Sequence, residues 1–482
     1  MQKNNQGDKD SCRCYSFFMR TDNMTTLDFN NKKHVHFIGI GGISKSGLAH
    51  ILLSRGFEVS GSDSKQSELT DELAALGAKI MIGQSAANIT EDIDLVVYTA
   101  AISEDNPELK AAKEAGIPMM VRAEFLGALM KNFERAVCVS GTHGKTTTTS
   151  LISQILLDAE TDPTISVGGI LPAIGGNIRI GHSGYFLTEA CEYTNSFLSF
   201  FPTMEIILNV QEDHMDFFKD LDDIRNSFKT YTRLLPEDGV LIINGEIEDL
   251  SYFTDGLSCE ITTFGLHGDF DYTTKNISFN QFACAEYDLY INGNYAAHAA
   301  LKLPGEHNVY NSLAAFAAAA HLGIDAEKAA VSISAFTGVD RRFQLKGEVG
   351  GVTIVDDYAH HPDEIRATLK AAANYPHKKL WVVFQPHTYT RTKAFLDGFA
   401  DALSLADAVV LAPIYAAREK NTLGISSENI KELIDKTGRE CYCFPTFDEI
   451  ENFLLENCVN GDLLITMGAG DVYIIGEKLL GK

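Results

Sequence analysis

The string Gly141-Thr-His-Gly-Lys-Thr-Thr-Thr-Thr149 carries the residue types of a phosphate site. It follows an apolar run, Ala136–Val139, and opens a pattern with Leu151, Ile152, Ile155 and Leu156 apolar. The order is strand, glycine turn, helix. Such a turn aims backbone N–H groups and the positive end of a helix at one point, where phosphate is stabilised. Lys145 would reach the outer phosphates of a nucleotide, and the Thr146 hydroxyl would take a place on Mg²⁺. A plain capped helix would explain threonines by local hydrogen bonds, but Gly-x-x-Gly-Lys-Thr is richer than a cap needs. The usual spacing has glycine at 139, where Val139 stands, so this loop is shorter than the common P-loop.

Three α/β segments must position such a site. The first opens with a strand, His34–Ile38, and the turn Gly39-Ile-Gly-Gly42. A helix to about Arg55 follows, then a strand at Glu58–Ser60 ending in Gly-Ser-Asp63, a strand at Leu95–Tyr98 and a helical stretch at Pro107–Ala115. That is a Rossmann-like pattern. Its fingerprint is imperfect: Ser44 stands where the third glycine belongs, flanked by Gly42 and Gly47. Asp63 fits the acidic ribose contact at the end of a second strand, and tight-turn packing is the alternative. The second segment begins near Phe133, carries the P-loop, a strand at Glu205–Val210 and an alanine-rich helix at Asn311–His321, and closes near Gly338. The third starts at Val339-Asp-Arg-Arg-Phe343, with strands at Val352–Val355, Leu380–Phe384, Ala408–Leu411 and Leu463–Thr466 separated by helical patterns. Such alternation predicts another parallel sheet with helices on both faces. The expected units are 34–132, 133–338 and 339–482, after a disordered polar tail over 1–33 in which Met19 or Met24 is an alternative start.

A chain of 482 residues with 45% hydrophobic and 22% charged residues has the balance of a soluble globular protein of several domains. Its net charge of −25 argues against a broad nucleic-acid or anionic-membrane surface. Anionic ligands must be held by glycine loops, helix ends, Mg²⁺ and a few arginines. Nine cysteines form no Cys-x-x-Cys pair, and the pairs Cys12/Cys14 and Cys441/Cys443 lack zinc-site spacing, so reduced thiols in a cytoplasmic protein are expected. No apolar stretch reaches membrane-spanning length.

Several strings together resemble the Mur ligases, the ATP-dependent amide-forming enzymes of peptidoglycan synthesis. They are Gly39-Ile-Gly-Gly42, the short P-loop Gly141–Thr146, Glu189-Ala-Cys-Glu192, Glu212-Asp-His214 and Gly305-Glu-His-Asn-Val-Tyr-Asn311. Asp356-Asp-Tyr-Ala-His-His-Pro362 and Phe384-Gln-Pro-His-Thr-Tyr-Thr-Arg391 point to the alanine-adding branch. The resemblance runs from His34 to the C-terminus. It implies a Rossmann-like UDP-binding domain, a P-loop ATPase domain with a central, mostly parallel sheet and a Rossmann-like C-terminal amino-acid domain. It also implies ATP and Mg²⁺ as cofactors, with UDP-N-acetylmuramic acid and L-alanine as substrates.

Residue by residue, the resemblance places ATP on Gly141, Thr142, His143, Gly144, Lys145, Thr146 and Thr147, with His307 and Asn311 against adenine. Thr146 and Glu189 would hold the Mg²⁺ of the β- and γ-phosphates, and Glu189 and His214 would lie near a second Mg²⁺ on the acyl side. An imidazole is an unusual ligand for so hard an ion. Glu192 reads equally as support for that cluster or as a solvated loop carboxylate. Arg342, beside Arg341, would swing onto the γ-phosphate as the third domain closes. Lys145, Glu189, His214 and Arg342 are thus the expected catalytic set. The UDP-sugar falls to Gly39, Gly41, Gly42 and Asp63, and Gln84 stands where many relatives have histidine. His360, His361, His387 and Arg391 would line the alanine site or its approach. Thr388 replaces an arginine found in some relatives, which leaves carboxylate capture to Arg391 or to main-chain donors. Many Mur ligases carry a carbamylated lysine after the Asp-His pair; Lys229 falls near that position, but aligning Phe228 there makes Lys229 an ordinary lysine.

Within the family the rival is a recycling ligase that attaches a tripeptide to the same sugar nucleotide, which needs a roomier third domain. An NAD oxidoreductase would leave Lys145 and Thr146 unexplained. A nucleotide-binding protein with a decayed ligase site would not retain every ATPase residue.

Overall fold

The structure is a computed structural model and describes residues 27–482, apart from 100, 101, 216 and 418. Three sheets follow one another along the chain. The first is wholly parallel, in the order β3-β2-β1-β4-β5, from β1 (His34–Ile38), β2 (Glu58–Asp63), β3 (Lys79–Ile82), β4 (Leu95–Tyr98) and β5 (Met119–Val121). Every residue of β1 is buried, which is what an apolar strand between two helical layers requires. Strand order reverses about β1, so the glycine turn after it opens at the crevice where such sheets bind ligands.

The second sheet has ten strands. They are β6 (Arg135–Ser140), β7 (Thr164–Leu171), β8 (Gly176–Arg179), β9 (Tyr185–Glu189), β10 (Met204–Ile207), β11 (Val240–Asn244), β12 (Glu260–Phe264), β13 (Tyr272–Phe279), β14 (Cys284–Ile291) and β15 (Asn294–Pro304). The order is β15-β14-β13-β12-β11-β10-β6-β9-β7-β8. The run from β12 to β7 is parallel, while β13, β14 and β15 form an antiparallel arm. The P-loop follows β6, between β10 and β9. The P-loop helix Lys145–Asp158 and the helix His307–His321 pack on one face of this sheet with Val137, Val139, Leu151, Ile155, Leu313 and Ala317 in one core.

The third sheet has the order β16-β17-β21-β18-β19-β20, from β16 (Gln344–Val349), β17 (Val352–Asp357), β18 (Leu380–Phe384), β19 (Ala408–Leu411), β20 (Glu440–Cys443) and β21 (Leu463–Met467). Only β16 is antiparallel. Apolar clusters fill both of its faces. The α/β class and the three-part architecture expected from the sequence are therefore found.

The expected tail needs correction where it is described. Leu27 is buried, and the Phe29 ring packs on Phe57 and Phe133 while its N–H donates to Asn132 Oδ1 at 3.1 Å. Two aromatic contacts and a satisfied donor anchor this stretch, so it belongs to the fold. The rest of the expected tail, with Met19, Met24, Cys12 and Cys14, lies outside the described residues. No helix among the described residues is long and apolar enough to cross a membrane.

Candidate active site

Strand β6 runs straight through Val139, which is fully buried, and the turn begins only at Gly141. That explains the short loop. Gly141 has φ +135° and Gly144 has φ +85°, conformations that a side chain would strain. A Cβ on Gly144 would also stand 2.5 Å from Asn311 Oδ1, so the loop and the helix His307–His321 touch at a place where only glycine fits. Lys145 Nζ folds back and donates to Gly141 O at 2.5 Å and Thr142 O at 3.0 Å. It also pairs with Glu192 Oε2 at 3.1 Å. Burial works against the ammonium, but Glu192 and its neighbours outweigh it and hold the group charged, above the ordinary lysine range.

Glu192 is 1% exposed, so the solvated-loop reading does not apply to it. Its carboxylate is the counter-ion of the P-loop lysine, and Oε1 lies 3.9 Å from His214 Nε2. Glu189, at the end of β9, accepts from the Thr146 hydroxyl at 3.1 Å and from Gly168 N–H at 2.5 Å. Gly168 was not foreseen: a Cβ there would sit 2.8 Å from Glu189 Oε2. His214 has φ +53° and stacks on Tyr193, with ring centroids 4.5 Å apart. Burial lowers its pKa against the pull of Asp213 and Glu192, which favours the neutral imidazole that a metal needs. Lys229 points elsewhere, its Nζ lying 3.9 Å over the Tyr252 ring, while Phe228 is buried against Phe197.

A cavity of about 380 Å³ lies beside the loop, between the second and third units. Thr146, Thr147, His307, Asn311, Arg342 and Glu364 are among its walls. The helix expected from Asn311 begins at His307, which places His307 and Asn311 one turn apart on one face. Burial, Arg342 and His143 bring the His307 pKa down to about 4. Asn244, Glu246 and Tyr310 also line the cavity, with the Tyr310 hydroxyl donating to Glu246 Oε2 at 2.8 Å. Nothing in their spacing marked them.

The two adjacent arginines diverge. Arg341, at φ +63°, is bound into the third unit: Nε donates to Asp356 at 2.9 Å, and its terminal nitrogens donate to Gly470 O at 2.9 Å and Gly468 O at 2.6 Å. Arg342 faces the cavity, 5.2 Å over the Tyr358 ring and 4.0 Å from Glu364 Oε1. Below it Asp357 is raised to about 6 by burial, although Arg342 opposes the shift.

From the third unit, His360 and His387 meet edge to face at 6.0 Å, and His387 stacks on Tyr415. Burial takes His360 down to about 4 despite Glu364. His361 does local work as well: its Nδ1 caps the helix Pro362–Ala372, accepting from Asp363 N–H at 3.4 Å. That bond puts the ring proton on Nε2, which is buried and has no hydrogen-bond partner among the described residues. His143, His361 and Asp363 have ligand atoms within 4.8 Å of one another, but His361 Nδ1, the nitrogen 3.9 Å from Asp363 Oδ2, is already taken by the helix cap. Arg391 is engaged across the cleft: its guanidinium lies 3.3 Å from Asp213 Oδ1, so here it holds a second-unit carboxylate.

In the first unit Gly39 has φ +75°, Gly41 N–H donates to Asp63 Oδ2 at 2.9 Å, and Gly42 begins the helix Ile43–Ser54 without a side-chain cap. The other Asp63 oxygen accepts from Ser64 N–H at 2.8 Å, so Asp63 organises the turn itself. Lys45 Nζ donates to Ile38 O at 2.6 Å beneath it. Gly47 serves a different contact from the absent third glycine: a Cβ there would stand 1.7 Å from Ile178 Cδ1 on β8 of the second unit, so it lets the helix Ile43–Ser54 approach that unit closely. Gln84 Oε1 accepts from Asn106 at 2.5 Å, beside a buried Glu108 held by Ser62 and Asn88.

A parallel sheet with a short P-loop, a Glu–His cluster behind it and an α/β unit closing over it defines an ATPase-type site shared between domains. Family models match the three parts in order: Mur ligase family, catalytic domain, over residues 34–134; Mur ligase middle domain over 139–319; and Mur ligase, glutamate ligase domain, over 341–470. The chain belongs to the Mur ligase family. It is 61% identical over 458 residues to the UDP-N-acetylmuramate–L-alanine ligase of Lachnospira eligens, covering 95% of this chain and 100% of that protein. The crystal structure of the UDP-N-acetylmuramate-alanine ligase of Thermotoga maritima superposes with a TM-score of 0.76 at 31% identity, over 94% of this chain and 99% of that one. A murein peptide ligase of Psychrobacter arcticus gives 0.67 at 26% identity, over 93% and 98%.

Proposed function

We propose that this protein joins L-alanine to the carboxylate of UDP-N-acetylmuramic acid, with ATP converted to ADP and phosphate, in cytoplasmic peptidoglycan precursor synthesis. A carboxylate oxygen attacks the γ-phosphorus and ADP departs, leaving an acyl phosphate. The alanine nitrogen then attacks the acyl carbon, phosphate leaves, and the amine gives up its proton. The observation that carries this reading is the linked cluster of Lys145, Glu192, His214 and the Thr146–Glu189 pair at the P-loop, beside a cavity that Thr146 shares with Arg342 and Glu364 of the third unit, where Glu364 also meets His360.

Two anions must approach each other there, which needs positive charge that the reaction does not consume. Lys145 supplies it at the loop and Arg342 from the third unit. His214 and His360 stay neutral near pH 7, so each keeps a nitrogen lone pair for a metal or for a hydrogen bond from the alanine amine. The Thr146 hydroxyl and the Glu189 carboxylate, 3.1 Å apart, are a hard-oxygen pair that fits Mg²⁺. Bound there, Mg²⁺ would neutralise charge on the phosphates, with His214 close to the acyl side. The glycine turn Gly39–Gly42 and Asp63 would seat the UDP-sugar, and His387 with Arg391 would face alanine once Arg391 leaves Asp213.

The test is product formation with ATP, Mg²⁺, UDP-N-acetylmuramic acid and L-alanine, omitting one at a time. Amide product and phosphate release requiring all four are expected. Preference for a tripeptide over alanine would instead assign the recycling reaction.

A further inference from the structure

Glu364 is the third residue of the helix Pro362–Ala372 and was not singled out by its sequence context. Its side chain is 16% exposed. Oε2 stays local: it accepts from the backbone N–H of His360 at 3.1 Å and of His361 at 3.3 Å, and lies 3.3 Å from His360 Nδ1. Oε1 reaches out of the unit to His143 Nδ1 on the P-loop, 3.4 Å away, and within the unit it lies 4.0 Å from the Arg342 guanidinium. A capping box needs one acceptor at this position and takes glutamine as well as glutamate. The second oxygen and the negative charge therefore exceed what the helix requires. They are spent on a P-loop residue and on the arginine between the units.

We propose that Glu364 is a positioning residue for the ligation step, coupling closure of the third unit to the placement of Arg342 and His143 at the nucleotide. This rests on the reading that Arg342 serves the transferred phosphate. The same carboxylate touches His360, so one group ties together the loop, the connecting arginine and a histidine expected at the alanine site. His307 and Asp357 also border this cluster, and the His361 ring lies against that of His143, centroids 5.4 Å apart. Placement matters here because misalignment of about 1 Å between reacting groups lowers rates by about a hundredfold.

The test compares Glu364→Gln and Glu364→Asp with the natural protein. Gln keeps the cap acceptor and removes the charge; Asp keeps the charge one methylene further back. For Gln we expect an unchanged melting temperature, ADP affinity within about threefold, and kcat/KM for alanine lower by at least about tenfold. Asp should recover part of that loss. Small-angle scattering with a non-hydrolysable ATP analogue and UDP-N-acetylmuramic acid should show less compaction of the Gln variant than of the natural protein. Turnover of Gln within twofold, or an equal fall in ADP affinity, would overturn the proposal. So would a lowered melting temperature that accounts for the lost activity in both variants. If the natural protein makes no product from alanine, the functional reading fails; the scattering comparison still decides whether Glu364 couples closure to the nucleotide.

Discussion

Glu192→Gln tests whether the buried acid holds the P-loop lysine in place until phosphate arrives. The substitution keeps the volume and removes one charge of the pair at 3.1 Å. Removing one partner of a buried ion pair costs about 3–5 kcal/mol, because the other charge is left uncompensated. Lys145 also donates to two carbonyl oxygens, at 2.5 and 3.0 Å, and its side chain is 15% exposed, so the lower end applies, about 3 kcal/mol. For a unit of about 200 residues each kcal/mol moves the melting temperature by roughly 2–4 °C, which gives a fall of roughly 6–12 °C. Nucleotide then changes the comparison. Its phosphates supply the missing negative charge, so the variant regains part of its deficit on binding, beyond the usual gain of about 2.7 kcal/mol at a hundredfold excess over Kd. Differential scanning fluorimetry across an ADP titration reads both quantities. The gap between variant and natural protein should be wide without nucleotide and narrow at saturation. An equal gap at both ends refutes the placeholder role, and no gap at all refutes the ion pair.

Arg342→Ala should keep ATP affinity within a few-fold and lose most turnover, as titration beside steady-state kinetics will show; equal losses would make Arg342 a plain nucleotide ligand. Gly168→Ala should disturb Glu189, 2.8 Å from the new Cβ, and lower turnover by on the order of tenfold or more, with partial rescue by raised Mg²⁺. His307 and His360, both near pKa about 4 when folded and 6.5 when unfolded, bind fewer protons in the native state, so stability should fall as pH drops from 6.5 toward 4. His360, 18% exposed, would remove about 3 kcal/mol across that window and the more exposed His307 less, measurable by urea unfolding at several pH values; a flat profile would show that they are charged in the fold. Lys229→Ala should retain full activity, and loss restored by a small added carboxylate would make that lysine a carbamate.

The P-loop was legible because its residues are contiguous and its conformation is local: two glycines, a lysine and a helix start. The parallel sheets were legible for the same reason, each apolar run bounded by turns. What escaped reading depends on distance along the chain. Lys145 finds Glu192 from another strand end, and His143 finds Glu364 from another unit, so neither acid has a local signature. The antiparallel arm β13–β15 escaped because its buried residues, such as Tyr287, Leu289, Leu301 and Leu303, alternate with polar ones, with no continuous apolar run to mark the strands. Arg341 and Arg342 are the same residue type side by side. Only the positive φ of Arg341 and of Phe343, which twists the chain there, sends one guanidinium into the third sheet and the other to the cavity.

The pairing of cations explains how a protein of net charge −25 presents a site for polyanions. Long-range attraction cannot draw the nucleotide in, since the whole-molecule field opposes it. The positive groups are local, and each already has an acid: Lys145 has Glu192, Arg342 has Glu364 and Arg391 has Asp213. Three partly buried cations without partners would destabilise the fold, whereas three paired ones are tolerated. Binding is then an exchange of carboxylate for phosphate or substrate carboxylate, with little net change in buried charge. The exchange also orders the events. Lys145 is paired within the second unit and is able to exchange at once. Arg391 is paired across the cleft, so on the proposed function its exchange of Asp213 for the alanine carboxylate would also loosen a contact between the second and third units, linking capture of the amine substrate to their relative position.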